Sequence, residues 1–255
     1  MSMRNRIIKK LQLPRAIVTN NHIPKKSFFK NAELTKAEVN LFTSEIEGVY
    51  LLGVISPDYS NVPSYQTDEF HYREIYWVYA NLRSDKHVHR ISKAIHKSLP
   101  NPVVLILGVV DEKVAISTAH KRLNKQDNTK VVLEEQSLTH WFHTEPMEEA
   151  YANLLDNIKI EHLANENMYE FYEDMNQWIK VEGAIEYTKN LPEKAHRHDV
   201  IIQLDNIASL KKERKKFDQE EKETVSFGDK MQLHMQRKKI NQKISNTIET
   251  LKELC

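Results

Sequence analysis

The side chains best suited to chemistry in this sequence are two carboxylates and a glutamine close to predicted strand ends. Asp111 follows the apolar run over 102–110, and Glu134 with Gln136 lies at the end of a later apolar stretch. Carboxylates that converge from strand ends can hold a divalent cation and cut nucleic acid. Asp111, Glu134 and Gln136 therefore define one hypothesis, a metal-dependent nuclease. The alternative is structural, with Asp111 in an ordinary hairpin turn and Glu134 at a solvated strand end.

Histidines are the next candidates, because the chain contains twelve. Two metal ligands on one face of a helix lie three or four residues apart. His140 and His143 have that spacing, but they fall in a strand-to-loop segment, where side chains three apart point to opposite sides. His196 and His198 flank Arg197, whose charge disfavours a bound cation. We therefore expect no metal site and no cofactor.

Glycine placement excludes the common phosphate-binding loops. The five glycines are scattered at positions 48, 53, 108, 183 and 228. A dinucleotide or nucleoside triphosphate loop needs several glycines within a few residues, and a serine hydrolase needs a glycine on each side of its nucleophile. The glycine pattern therefore does not indicate a motor, a kinase or a serine hydrolase.

The first 34 residues form a basic segment, because no acidic residue precedes Glu33. Two prolines and an Asn-Asn pair predict an extended arm with at most one helical turn. Such an arm could lie on a phosphate backbone, or it could be a solubilising terminus whose Phe28 and Phe29 pack into the core. The candidate nucleic-acid contacts are Arg4, Arg6, Lys9, Lys10, Lys25 and Lys26.

Apolar periodicity after this arm predicts a mixed α+β fold. Helices are expected over 36–47 and 85–99, with Thr35 and Glu38 as a capping box at the start of the first. Strands are expected over 50–55, 70–82, 103–110, 114–117 and 130–134, which predicts a mixed, mostly antiparallel sheet with flanking helices. The predicted domains are a basic arm (1–34), an α/β core (35–144), an acidic helical segment (145–191) and a C-terminal helical hairpin (192–255).

The C-terminal helices carry the main candidate interaction surface. A short glycine-containing break over 226–229 separates two charged helical stretches, which are expected to fold back as an antiparallel pair. An apolar seam with charged flanks is typical of partner docking or of self-assembly. The candidate docking residues are Met231, Met235, Ile240, Ile244, Ile248 and Leu251.

Cysteine content and hydropathy bear on the compartment. The single cysteine, Cys255, cannot form an intramolecular disulfide. The longest apolar run, over 102–110, is far shorter than the roughly 20 residues that a membrane helix needs. We therefore expect a cytoplasmic protein with no membrane partner.

Several segments resemble the domain-of-unknown-function family 4391 of bacteria and archaea. The resemblance lies in NHIPKKSFF at 21–29, EIYWVYANL at 74–82, the stretch over 91–105, THWF at 139–142 and the final helix over 227–251. The acidic stretch over 145–174 and the linker to His198 look longer than is usual in the family.

The resemblance implies an association and no mechanism. Members of this family are commonly encoded beside helicases and DNA methyltransferases in mobile restriction or phage-defence clusters. This implies an accessory or adaptor subunit of a DNA-targeting defence system, without enzymatic activity, whose larger partner is a helicase or a DNA methyltransferase. The metal-dependent nuclease and a self-assembling structural protein stay as alternatives, and the sequence leaves the stoichiometry open.

Overall fold

The computed structural model describes residues 2–31, 34–127 and 130–255, and the chain divides into two compact units, 1–180 and 181–255. Within the described residues, no helix has the length and apolar character needed to cross a membrane. The finer domain boundaries predicted from the sequence stay predictions.

The first unit is built on a seven-stranded sheet and a separate two-stranded one. The strands are β1 (Val18–Ile23), β2 (Ile46–Ile55), β3 (Tyr65–Gln66), β4 (His71–Tyr72), β5 (Ile75–Leu82), β6 (Val103–Gly108), β7 (Lys113–Leu123), β8 (Val131–Leu138) and β9 (Phe142–His143). The large sheet has the order β1-β2-β5-β6-β7-β8, β9 also pairs with β7, and β3 pairs with β4. Only β5 and β6 pair in parallel among the described strands.

Seven helices belong to this part of the described chain. They are α1 (Met3–Lys10), α2 (Lys25–Asn31), α3 (Lys36–Glu45), α4 (Pro57–Ser60), α5 (Val88–Ser98), α6 (Glu149–Asn157) and α7 (Met168–Val181), which ends at the unit boundary. The capping box predicted at the start of α3 is present, with Thr35 and Glu38 each bonding the other's backbone N–H. Helix α5 forms the crossover that two parallel strands require.

The core explains why the middle of the sheet reads as continuous apolar sequence. Every residue of β6 is buried, as expected for a strand covered on both faces. On one face, Val78 and Leu105 of the sheet pack with Phe42 of α3 and Ile95 of α5. On the other face, Tyr172 and Asn176 of α7 contact β6 and β7.

The predicted fold class is confirmed: a mostly antiparallel sheet with flanking helices, followed by a helical region. Two local expectations were wrong. The strand predicted over 70–82 is broken at Arg73 and Glu74, because β4 pairs with β3 before β5 joins the main sheet. The N-terminal arm is also more ordered than expected, because α1 buries Ile7 and β1 pairs with β2.

The second unit ends in two long helices. Its helices are α8 (Ile185–Thr188), α9 (Arg197–Glu223) and α10 (Phe227–Leu254). Arg237 of α10 forms ion pairs with Asp218 (3.2 Å) and Glu221 (2.6 Å) of α9. With a three-residue connection between the helices, this contact requires an antiparallel pair, as the sequence predicts.

Candidate functional site

The three residues of the nuclease hypothesis do not form one site. Asp111 is exposed in the turn between β6 and β7, whereas Glu134 and Gln136 are on β8. Gln136 lies opposite Ala119, six residues beyond Lys113 on β7. At about 3.3 Å per strand residue, about 20 Å of strand separates Gln136 from the turn that holds Asp111. The structure therefore does not bring Asp111 to the other two side chains.

Glu134 and Gln136 also have separate surroundings. The Glu134 carboxylate pairs with Arg122 at 3.6 Å, and both side chains are partly exposed. Gln136 points inward, and its Nε2 donates to Ser92 Oγ (2.5 Å) and Ser117 Oγ (3.1 Å). Within the described part of the chain, no group of three or more His, Cys, Asp or Glu residues could hold a metal ion.

Gln136 belongs to a buried polar cluster between α5 and the sheet. His96 Nε2 lies 3.0 Å from Ser117 Oγ, and Ser117 Oγ donates to the carbonyl of Ser137. Burial, together with the charge of Lys121, holds the pKa of His96 well below its ordinary value, so this imidazole is neutral. The cluster links α5 to β7 and β8 and does not open to solvent.

Lys121 is a buried amine at the end of α5. Its Nζ donates to the carbonyls of Leu99 and Asn101, both at 2.6 Å. Burial lowers the pKa of Lys121 to about 7. The last carbonyls of a helix have no partner within that helix, so the N–H groups of the Lys121 side chain cap α5 and fix the turn that follows it.

A second polar cluster joins α7 to the sheet through Tyr72, His120 and Glu173. Tyr72 Oη lies 2.6 Å from His120 Nδ1, and His120 Nε2 lies 2.6 Å from Glu173 Oε2. Burial raises the pKa of Tyr72 strongly, so the phenol keeps its proton and donates to Nδ1. The Nε2–H of His120 donates to the carboxylate of Glu173.

Glu173 is the charged end of this Tyr72–His120–Glu173 cluster. Burial by itself raises the pKa of Glu173, but hydrogen bonds from His120, Gln177 and Asn176 outweigh it and lower the pKa to about 2. The carboxylate is therefore ionised throughout the physiological range. Both of its oxygens accept hydrogen bonds from neighbouring side chains.

The chemistry open to this cluster is limited by its saturation. Both ring nitrogens of His120 are occupied, and the Tyr72 side chain is fully buried. A general base needs a nitrogen or oxygen within hydrogen-bond reach of a substrate. The geometry therefore supports a structural role, in which the cluster fastens α7 to β4 and β7.

Tyr172 strengthens the same attachment. Its hydroxyl donates to the carbonyl of Val103 (2.7 Å) and accepts from the backbone N–H of Ala119 (2.9 Å). One helix turn later, Asn176 accepts a hydrogen bond from Thr118 (2.7 Å). Sequence reasoning missed these residues because His120 and Glu173 are 53 positions apart. The available sequence signal was that His120 and Lys121 directly follow the uncharged run VAISTA over 114–119.

The basic N-terminal residues are mostly engaged within the first unit. Arg4 lies over the Tyr50 ring at 3.6 Å, and Arg6 pairs with Glu112 at 3.0 Å. The remaining engaged residues are Lys10, which pairs with Glu145 at 3.8 Å, and Lys25, which donates to the carbonyl of Ile46. Lys9 and Lys26 are exposed. The six residues therefore do not form a free basic arm.

The candidate docking residues of α10 fall into two groups. Ile240, Ile244 and Leu251 are buried, and Ile248 is half-buried, so these side chains are not available to a partner. Met231 and Met235 are 48% and 55% exposed.

Sequence reasoning missed two exposed neighbours of these methionines, Val225 at 93% and Phe227 at 78%. Phe227, Met231 and Met235 follow one another at four-residue intervals and are here called the exposed stripe. The four-residue spacing of Phe227 to Met231 was the available signal.

These features define a mixed α+β protein with buried polar clusters that join helices to the sheet, and with an uncovered apolar stripe on a C-terminal helix pair. The family model for the domain of unknown function DUF4391 matches residues 11–244. The chain therefore belongs to the DUF4391 family, as the sequence resemblance indicates. No curated protein and no solved structure was found to match it.

Proposed function

We propose that this protein is a non-enzymatic adaptor subunit that binds a larger protein partner through its C-terminal helix pair. The observation that carries the proposal is the exposed stripe on α10, a helix whose other exposed positions are polar or charged. A contiguous apolar patch that stays in water is typical of an interaction surface. The Tyr72–His120–Glu173 cluster is consistent with this function, since both ring nitrogens of His120 are already occupied.

The setting of this adaptor is a multi-protein DNA-targeting defence system. The support for it is the gene association that the family resemblance implies, with a helicase or a DNA methyltransferase as the larger partner. Direct contact with nucleic acid is a smaller part of the proposal, since four of the six candidate basic residues have partners within the first unit. Lys9 and Lys26 are the candidates that remain.

Co-purification from the native host tests the proposal. The full chain carries an affinity tag at its native expression level, and mass spectrometry quantifies the proteins retained. A stripe variant carries Phe227→Ser, Met231→Gln and Met235→Gln together. Burying one large apolar side chain contributes about 1.5–3 kcal/mol, and about 1.4 kcal/mol is a tenfold change in affinity. The stripe variant is therefore expected to retain at least about tenfold less partner.

A matched control separates the stripe from exposed apolar surface in general. Tyr59 and Val110 of the first unit are 62% and 77% exposed. Tyr59→Ser with Val110→Ser is expected to retain the same partner as the wild type. The adaptor proposal fails if the wild type retains no stoichiometric partner, or if the stripe variant retains it equally well.

A further inference from the structure

Helix α10 has two apolar faces, and only one of them is covered. Met231 and Ile240 are nine residues apart, as are Met235 and Ile244. Nine residues is about two and a half turns of an α-helix, so the members of each pair lie on opposite sides. Ile240 and Ile244 are buried, whereas the two methionines are exposed. The face that carries the exposed stripe therefore lies opposite the face buried in the helix pair.

The positive charge of α10 is concentrated beyond the exposed stripe, and Asp229 lies within the span of the stripe. Between Asp229 and Glu249 the sequence contains no acidic residue. Arg237 is paired with Asp218 and Glu221 of α9. Four exposed lysines of α10 have no ion pair among the described residues; they are Lys230, Lys238, Lys239 and Lys243. The stripe is thus an apolar strip that contains Asp229 and Lys230, with the other three unpaired lysines beyond its C-terminal end.

The apolar surface and the charge of α10 together distinguish between the possible binding partners of the stripe. A second copy of the chain would bring the basic face of one α10 against that of another, and like charges in contact are unfavourable. A nucleic-acid backbone would meet the lysines but would cover a phenylalanine and two methionines with phosphates. An amphipathic helix with acidic flanks satisfies both the apolar and the charged requirement.

We propose that the exposed stripe binds an acidic amphipathic helix of the partner protein. This inference rests on the adaptor function proposed above and names the chemistry of its partner. The stripe spans nine residues from Phe227 to Met235, which at a rise of 1.5 Å per residue separates its two ends by about 12 Å. The partner therefore contributes about two turns, with apolar residues at positions i, i+4 and i+7 and with Asp or Glu beside them.

Selection from an unbiased library of displayed 20-residue helical peptides tests this inference. The target is the full chain at physiological ionic strength, and the stripe variant serves for counter-selection. The expected winners have a net negative charge and apolar residues at helical spacing. They are expected to bind the wild type at least about tenfold more tightly than the stripe variant. Reversing their acidic residues to lysine is expected to weaken binding about tenfold.

Circular dichroism of the stripe variant is expected to show the helical content of the wild type, because all three substitutions are at exposed positions. The inference is overturned if the winners are basic or neutral, if they bind both proteins equally, or if no peptide is enriched. It is also overturned if sedimentation velocity shows a wild-type dimer that the stripe variant lacks, or if duplex DNA binding depends on the stripe. Winners that need the stripe but are not acidic would leave the adaptor function standing and reject only the partner chemistry.

Discussion

Replacing Tyr172 with phenylalanine should measure how firmly α7 is attached to the sheet. The substitution Tyr172→Phe keeps the ring and removes one oxygen. That oxygen donates to the carbonyl of Val103 and accepts from the N–H of Ala119, at 2.7 and 2.9 Å. Tyr172 is fully buried, so water cannot replace the lost partner. A buried polar group left unsatisfied costs about 1–3 kcal/mol, and two such groups give about 2–6 kcal/mol.

Urea denaturation followed by tryptophan fluorescence is a suitable assay. The three tryptophans are at 77, 141 and 178, so the signal reports on the first unit. With a denaturant slope of about 2 kcal/mol per molar urea, the midpoint is expected to fall by about 1–3 M.

Tyr169→Phe on the same helix is the matched control. Within the described residues the Tyr169 hydroxyl makes no hydrogen bond, and its side chain is half-buried. The control should change the free energy of unfolding by less than about 0.5 kcal/mol. If Tyr172→Phe costs no more than Tyr169→Phe, the proposed attachment of α7 through this hydroxyl is refuted.

Three further predictions concern charged groups of the first unit. The pKa of Glu173 is lowered to about 2, so its stabilising contribution is present above pH 4.5 and is lost as the pH falls towards 2. In a plot of the urea midpoint against pH, Glu173→Gln should therefore reduce the slope on the acid side. An unchanged slope would contradict this. The pKa of Lys121 is lowered to about 7, so between about pH 7 and 10.5 the unfolded chain binds more protons than the folded chain does. The urea midpoint of the wild type should therefore rise over that pH range, and Lys121→Met should abolish the rise. Glu134→Ala removes one partly exposed ion pair with Arg122 and should lower the free energy of unfolding by less than about 1 kcal/mol. In the co-purification this variant should recover as much partner as the wild type does. Loss of a nuclease activity in this variant would instead favour the metal-dependent nuclease.

Local sequence patterns predicted most of the secondary structure. The capping box at Thr35 and the periodicity of α5 predicted these two helices because their signals lie within one or two helix turns. The apolar run at β6 predicted a buried strand, since only a strand covered on both faces lacks polar alternation. The strand predicted over 70–82 was wrong in its first part, because β4 pairs with β3 instead of continuing into β5.

The candidate sites were much harder to predict. Asp111 and Glu134 were grouped because both are near strand ends, but the pairing register of β7 and β8 keeps them apart. Gln136 was assigned to a cation site, yet its side chain points inward to Ser92 and Ser117. Register and side-chain direction depend on which strands become neighbours, and one sequence does not state this.

The amino-acid sequence by itself determined the family, the α+β class and the helical ending, because these depend on composition and on contacts between residues close in the chain. It also determined that α10 carries apolar residues at helical spacing. Only the tertiary structure decided that Ile240 is buried while Met231 faces water. A helix presents all its sides until a neighbour covers one, and which side is covered depends on packing between segments distant in sequence.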